Sequence, residues 1–290
     1  MRRILECLFS SSKLIFTIAM PTPENQLNLR ARHPDFQIAL DFNESESKRV
    51  LNTYSNHLDL AYGEEHLQSL DIFPSAVPNS PVHIFIHGGY WKALDKSSYR
   101  FIAAPFVDQN ISVCLINYRL IPSVHMESLL NDIRAAFLWI QVNISQYNGN
   151  PSSMVISGHS AGGHLALMAY LMNKDLQASI KGICSLSGIF DLGPIKNSYL
   201  NEDLQLTDED IENYSVINKD LGKLKCPTLL SVGSAETDLF IEESKNLYKK
   251  HKSRAPLRYY EYPELNHYEI VHKLGESESP LVQFILPLIS

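Results

Sequence analysis

The chain has 290 residues, 44% of them hydrophobic and 20% charged, so it holds ample apolar material for a buried core. Its formal net charge is −7 and no block of Lys or Arg stands out. That argues against nucleic acid or an anionic membrane surface as the main partner, since both are held by clustered positive charge. A small-molecule substrate is the expected partner, with homodimerisation left open.

The first segment, Met1 to Met20, opens with Arg2-Arg3 and faintly resembles a secretory signal, but Glu6 and Lys13 interrupt its apolar stretches. A start at Met20 accounts for it equally well. No apolar run reaches the ~20 residues that cross a bilayer. Cys7, Cys114, Cys184 and Cys226 lack paired spacing, which fits a reducing cytoplasm rather than a disulfide framework. Residues 1–55 read as an N-terminal arm with some helix around Glu44 to Tyr54, and residues 56–290 as one domain.

Short strands over His57 to Tyr62 and Gln68 to Phe73 give the sheet an antiparallel start. Further strands at Val82 to Ile86, Ile111 to Ile116, Met154 to Ser157, Lys181 to Leu186, Thr228 to Val232 and Leu257 to Tyr262 continue it. Between them, helices are expected at Lys96 to Gln109, from Met126 through Ile140, at Ala161 to Met172, near Phe240 to Lys250 and at Pro280 to Ile289. Such alternation implies parallel βαβ units, a mostly parallel twisted sheet covered on both faces. Only residues 188–224, rich in Glu and Asp, break the rhythm, as an excursion or small cap over one end of the sheet.

The strongest chemical signal is Gly158-His159-Ser160-Ala161-Gly162 between an apolar strand and an apolar helix. A nucleophile on so tight a turn needs tiny flanking residues for the backbone to close. Upstream, His87-Gly88-Gly89-Tyr90-Trp91 follows a strand directly, where backbone donors for an acyl-transfer oxyanion belong. Gly88, Gly89 and Ala161 are the candidate N–H donors. Tyr90, Trp91 and His159 are candidate substrate contacts, although the aromatic pair reads equally well as core. A later acid and histidine are needed in the order Ser, acid, His. Asp238, in the loop after the Thr228 strand, is the expected acid with Glu236 as its competitor, and His267, after the last strand, is the expected base. Eleven histidines show no metal-ligand spacing, and no nucleotide-binding glycine motif is present, so no cofactor or metal is expected.

Taken together, His87 to Trp91 and Gly158-His159-Ser160-Ala161-Gly162-Gly163-His164 resemble the kynurenine formamidase (arylformamidase) branch of the hormone-sensitive-lipase-like α/β hydrolases. Asn117-Tyr118-Arg119-Leu120 and Leu186-Ser187-Gly188-Ile189-Phe190-Asp191-Leu192 are similar to that family's intermediate segments, and the likeness runs from about residue 57 to the C-terminus. The resemblance implies the α/β-hydrolase fold and hydrolysis of N-formyl-L-kynurenine to formate and kynurenine. In that mechanism His267 takes the proton of Ser160, and the acid orients the imidazole. A carboxylesterase on short-chain or aromatic esters is the main alternative. A peptidase with a gating domain has no room here, and a non-catalytic binding protein would normally have lost the nucleophile or histidine.

Overall fold

The computed structural model describes residues 23–289; the signal-like reading of Met1 to Met20, and Cys7, lie outside them. Strands β1 (His57–Ala61), β2 (Ser69–Phe73), β3 (Ser80–Ile86), β4 (Ser112–Ile116), β5 (Gly149–His159), β6 (Ile180–Leu186), β7 (Thr228–Gly233) and β8 (Leu257–Tyr262) form one sheet. Their spatial order is β1-β2-β4-β3-β5-β6-β7-β8. The β1–β2 and β2–β4 pairs are antiparallel and the remaining five are parallel.

Alternation along β3 explains the two cores. Val82, Ile84 and Ile86 pack into one cluster with the helices Met126–Asn143 and Ala161–Met172, while Phe85 faces the other, with Phe106, Leu281 and Ile285. Central strands buried on both faces are therefore mostly apolar, and the edge strand β1 alternates exposed and half-buried residues. The predicted Lys96 to Gln109 helix is a 3-10 segment, Lys96–Ile102, running into a short α-helix, Ala103–Val107. No described helix is long and apolar enough to cross a membrane.

Two regions are more integral than their composition suggests. The arm carries an 18-residue helix, Phe36–Thr53, against the expected short piece. Its buried stripe is Ala39, Asn43, Ser47 and Val50, with proper helical spacing but half polar, so the apolar period is faint in the sequence. Ser47 Oγ accepts from the Phe101 N–H at 3.2 Å, which gives that buried hydroxyl its partner. Residues 188–224 do form an excursion, but Phe190, Leu192, Leu200, Leu204 and Val216 sink into the core while Glu202, Asp203, Asp208 and Glu209 face water.

The excursion is pinned at its start by Glu243, from the helix Asp238–His251, which accepts from the N–H groups of Phe190 (2.7 Å) and Asp191 (3.2 Å). Burial pushes the Glu243 carboxyl up from 4.5 to about 8, against the opposing pull of those two amides. Between these values the folded state holds a proton the unfolded chain has released, so stability falls as pH rises through that window. Gln at this position keeps the acceptor and removes the charge. The wild-type melting midpoint should accordingly drop by about 2–4 °C more than that of Glu243→Gln between pH 6 and pH 9. Parallel melting curves for the two proteins across that range would contradict this assignment.

Candidate active site

Ser160 sits between β5 and the helix Ala161–Met172 with φ 58° and ψ −121°, a conformation side chains rarely adopt. Its N–H donates to the Leu186 carbonyl at 2.8 Å, and its own carbonyl receives Gly163 N–H at 2.9 Å, so both sides of the turn are tied down. Close approach makes the flanking glycines obligatory. A Cβ on Gly158 would stand 2.0 Å from the Gly162 carbonyl oxygen, and one on Gly162 would stand 2.0 Å from that of Ile86. The strain of such a residue, of order 1–3 kcal/mol, is held by the packed strand and helix around it.

The His87–Trp91 segment lies across the elbow. A Cβ on Gly88 would meet the His159 carbonyl oxygen at 2.7 Å and Ser160 Cβ at 3.0 Å, which puts this backbone directly against Ser160. Gly89 (φ 103°), Tyr90 (49°) and Trp91 (57°) all have positive φ, so the chain coils tightly and Gly89 accepts from the N–H groups of Lys92 and Ala93. On the buried side, His87 Nδ1 donates to the Gly88 carbonyl at 2.8 Å and the Tyr118 hydroxyl donates to that of His87 at 2.9 Å. Burial lowers His87 to about 4, so the ring is neutral and its tautomer is fixed by that bond. The N–H groups of Gly88, Gly89 and Ala161 enter none of the fold's turn, loop or cap hydrogen bonds.

His267 Nδ1 donates to Glu236 Oε2 at 2.6 Å, with both side chains buried. The second carboxylate oxygen accepts from the Gly233 N–H at 2.8 Å and from the Ser187 hydroxyl. The partner of the imidazole is therefore Glu236, and the expectation for Asp238 is corrected. Beyond β7 the chain makes a tight turn in which Glu236 N–H returns to the Gly233 carbonyl at 3.2 Å, aiming this side chain inward. Two residues later Asp238 opens the helix Asp238–His251 in solvent, where a carboxylate complements the helix dipole.

His159 and Tyr90 reach the site, and Trp91 does not. The His159 ring lies 4.7 Å from that of His267 and its Nε2 donates to the His267 carbonyl at 2.9 Å, coupling elbow and histidine loop. Burial holds His159 well below its ordinary value, so it adds no charge there. The Tyr90 hydroxyl donates to the Leu27 carbonyl at 2.9 Å. Trp91 is fully buried and meets His164 edge-on at 5.2 Å; it is a core residue, because its positive φ turns the side chain beneath the loop.

A cavity of about 410 Å³ opens on Ser160, His159 and His267, within the range of small-ligand sites. Its walls come mainly from four places. These are the Gly89–Leu94 loop, the arm (Leu27, Arg30, Leu40), Tyr199 of the excursion, and Tyr268 beside the histidine. The arm and Tyr199 were missed from sequence; the one clue was a pair of leucines, Leu27 and Leu29, standing alone in a polar stretch.

With this geometry in hand, residues 70–250 match the family model BD-FAE, more than half of the chain. The chain belongs to the BD-FAE family. A kynurenine formamidase from Danio rerio is 29% identical to this BD-FAE hydrolase over 85% of the chain and 86% of the relative. A candidate thioesterase from Silicibacter superposes with a TM-score of 0.80 at 23% identity, covering 91% of the chain and 98% of that protein. A hyperthermophilic esterase from Pyrobaculum calidifontis superposes with a TM-score of 0.71 at 14% identity, covering 90% and 93%. The fold of this BD-FAE protein is thus the α/β-hydrolase fold, and the chain is an enzyme of that class.

A hydroxyl on a strained elbow, an imidazole oriented by a buried carboxylate, and unclaimed backbone donors beside them are the elements that acyl transfer requires. Among the described residues, no group of His, Cys, Asp and Glu has the arrangement to hold a metal ion.

Proposed function

We propose that this hydrolase cleaves a small aryl formamide, with N-formyl-L-kynurenine as the representative substrate, through a formyl-enzyme on Ser160. The observation that carries the reading is the likeness to kynurenine formamidase along 85% of the chain, joined to a tyrosine-lined cavity opening on Ser160 and His267.

In the first step His267 Nε2 takes the Ser160 proton as Oγ bonds to the formyl carbon. Negative charge collects on the formyl oxygen, which the N–H groups of Gly88, Gly89 and Ala161 receive. Glu236 keeps the Nδ1 proton in place and stabilises the imidazolium. Breakage of the C–N bond then sends the His267 proton to the leaving aniline nitrogen. Water, deprotonated by the same imidazole, attacks the formyl ester and releases formate, returning the proton to Ser160.

An active-site fluorophosphonate should label Ser160 alone and fail to label Ser160→Ala. Purified enzyme should turn over N-formyl-L-kynurenine with a kcat/KM at least about tenfold above that for p-nitrophenyl acetate, a margin that two substrates differing by more than a methylene can reach. Ester turnover without formamide cleavage would move the assignment to a carboxylesterase, and labelling at another residue would end the Ser160 mechanism.

A further inference from the structure

The charged residues lining the cavity, histidines aside, are Arg30 and Lys92; no Asp or Glu lines it. This is a biased wall in a chain of net charge −7. Lys92 is already paired with Asp203 of the excursion. Arg30 has no carboxylate partner among the described residues. Its guanidinium lies 5.2 Å from the centre of the Phe36 ring and hydrogen-bonds the Tyr268 hydroxyl, which occupies only part of its five-donor fork. Tyr199 and Tyr268 lie close enough for their phenols to feel the Arg30 charge, and Tyr268 directly follows His267 in sequence. The arm therefore carries a cation with no carboxylate partner among the described residues to the same cavity wall as two phenols, one of which it hydrogen-bonds, and the proposed catalytic histidine.

From this placement we infer that the site selects substrates bearing a carboxylate remote from the scissile bond, and that Arg30 is the residue that binds it. A guanidinium presents two parallel donors to a carboxylate, with direction as well as charge, which a lysine in the same place would not reproduce. Tyr199 and Tyr268 flank that position with hydroxyl groups. Lys92, neutralised by Asp203, contributes to the loop rather than to the ligand. The preference is exerted on binding, because Arg30 belongs to the arm and not to the elbow, the Gly89 loop or the histidine loop.

The inference uses the formamide reading only to choose a probe, so its test is made on binding, independently of turnover. Dissociation constants are measured by calorimetry for N-formyl-L-kynurenine and for its primary carboxamide, on Ser160→Ala and on Ser160→Ala/Arg30→Gln. The carboxylate should bind Ser160→Ala about tenfold or more tightly than the carboxamide, as a charge-assisted pair would give. Arg30→Gln should bring the two within about twofold, and Arg30→Lys should restore only part of the difference. Equal affinities in Ser160→Ala, a preference that survives Arg30→Gln, or no binding of either compound would overturn the assignment. A clear preference in Ser160→Ala, alongside an enzyme that cleaves neither compound, would uphold Arg30 and reject the formamide reading instead. Matching circular dichroism and melting of the Arg30 variants ensures that a lost preference reports the side chain rather than the fold.

Discussion

Glu236→Gln should lower kcat by about 10⁴-fold with little change in KM, whereas Asp238→Asn should leave both within about threefold. The argument is one of proton placement. Glu236 Oε1 accepts from the Gly233 N–H and the Ser187 hydroxyl, and Oε2 accepts from His267 Nδ1. In the Gln variant the amide oxygen stays with its two donors, so the NH₂ group faces Nδ1. The imidazole must then accept there and carry its proton on Nε2, the nitrogen that has to receive the Ser160 proton. Shape and burial are kept and the tautomer is wrong. Asp238, exposed at the head of a helix, touches none of this. Steady-state kinetics on both variants decide the matter: a large loss at Asp238→Asn with Glu236→Gln near wild type would return the role to Asp238.

How much of this arrangement the sequence discloses depends on how local its causes are. The elbow is legible because two sub-van-der-Waals approaches, Gly158 to Gly162 and Gly162 to Ile86, admit only glycine and so leave a pattern in five residues. His267 is legible because it follows the last strand, at the edge where such sheets gather ligands. The choice between Glu236 and Asp238 is not, because it turns on where a tight turn ends and a helix begins, a boundary two residues wide. The arm is hidden for a different reason. Asn43 and Ser47 are buried polar residues, and Ser47 is satisfied by a partner far along the chain, so the stripe they belong to looks like solvent-facing polarity. Trp91 shows the converse failure, since an aromatic beside a catalytic loop suggests a substrate wall until backbone dihedrals turn it inward.

The site is also assembled against local preference. Ser160, Tyr90 and Trp91 all hold positive φ, and Ser187, which hydrogen-bonds Glu236, does so as well at 48°. Each departs from what its side chain prefers, and they converge on one edge of the sheet. Concentrated strain of this kind is what functional geometry costs, and the buried strands β3, β5, β6 and β7 are what hold it.

Ser160→Ala should lower turnover by about 10⁶-fold, and the double variant Ser160→Ala/Glu236→Gln should lose no more than that. Once the nucleophile is gone, orienting the imidazole serves no step, so the penalties overlap instead of multiplying. The residual rate in both proteins is that of bound substrate and backbone donors acting on water. Stability runs the other way. Alanine at φ 58° keeps the strain of the elbow, but glycine there is free of it, so Ser160→Gly should be more stable than the wild type by about 1 kcal/mol. Chemical denaturation of the wild type and the three variants alongside single-turnover rates tests both halves. A double variant slower than Ser160→Ala by a further factor of ten would mean that Glu236 acts outside the unit. An unstabilised Ser160→Gly would mean that the turn is not where the strain resides.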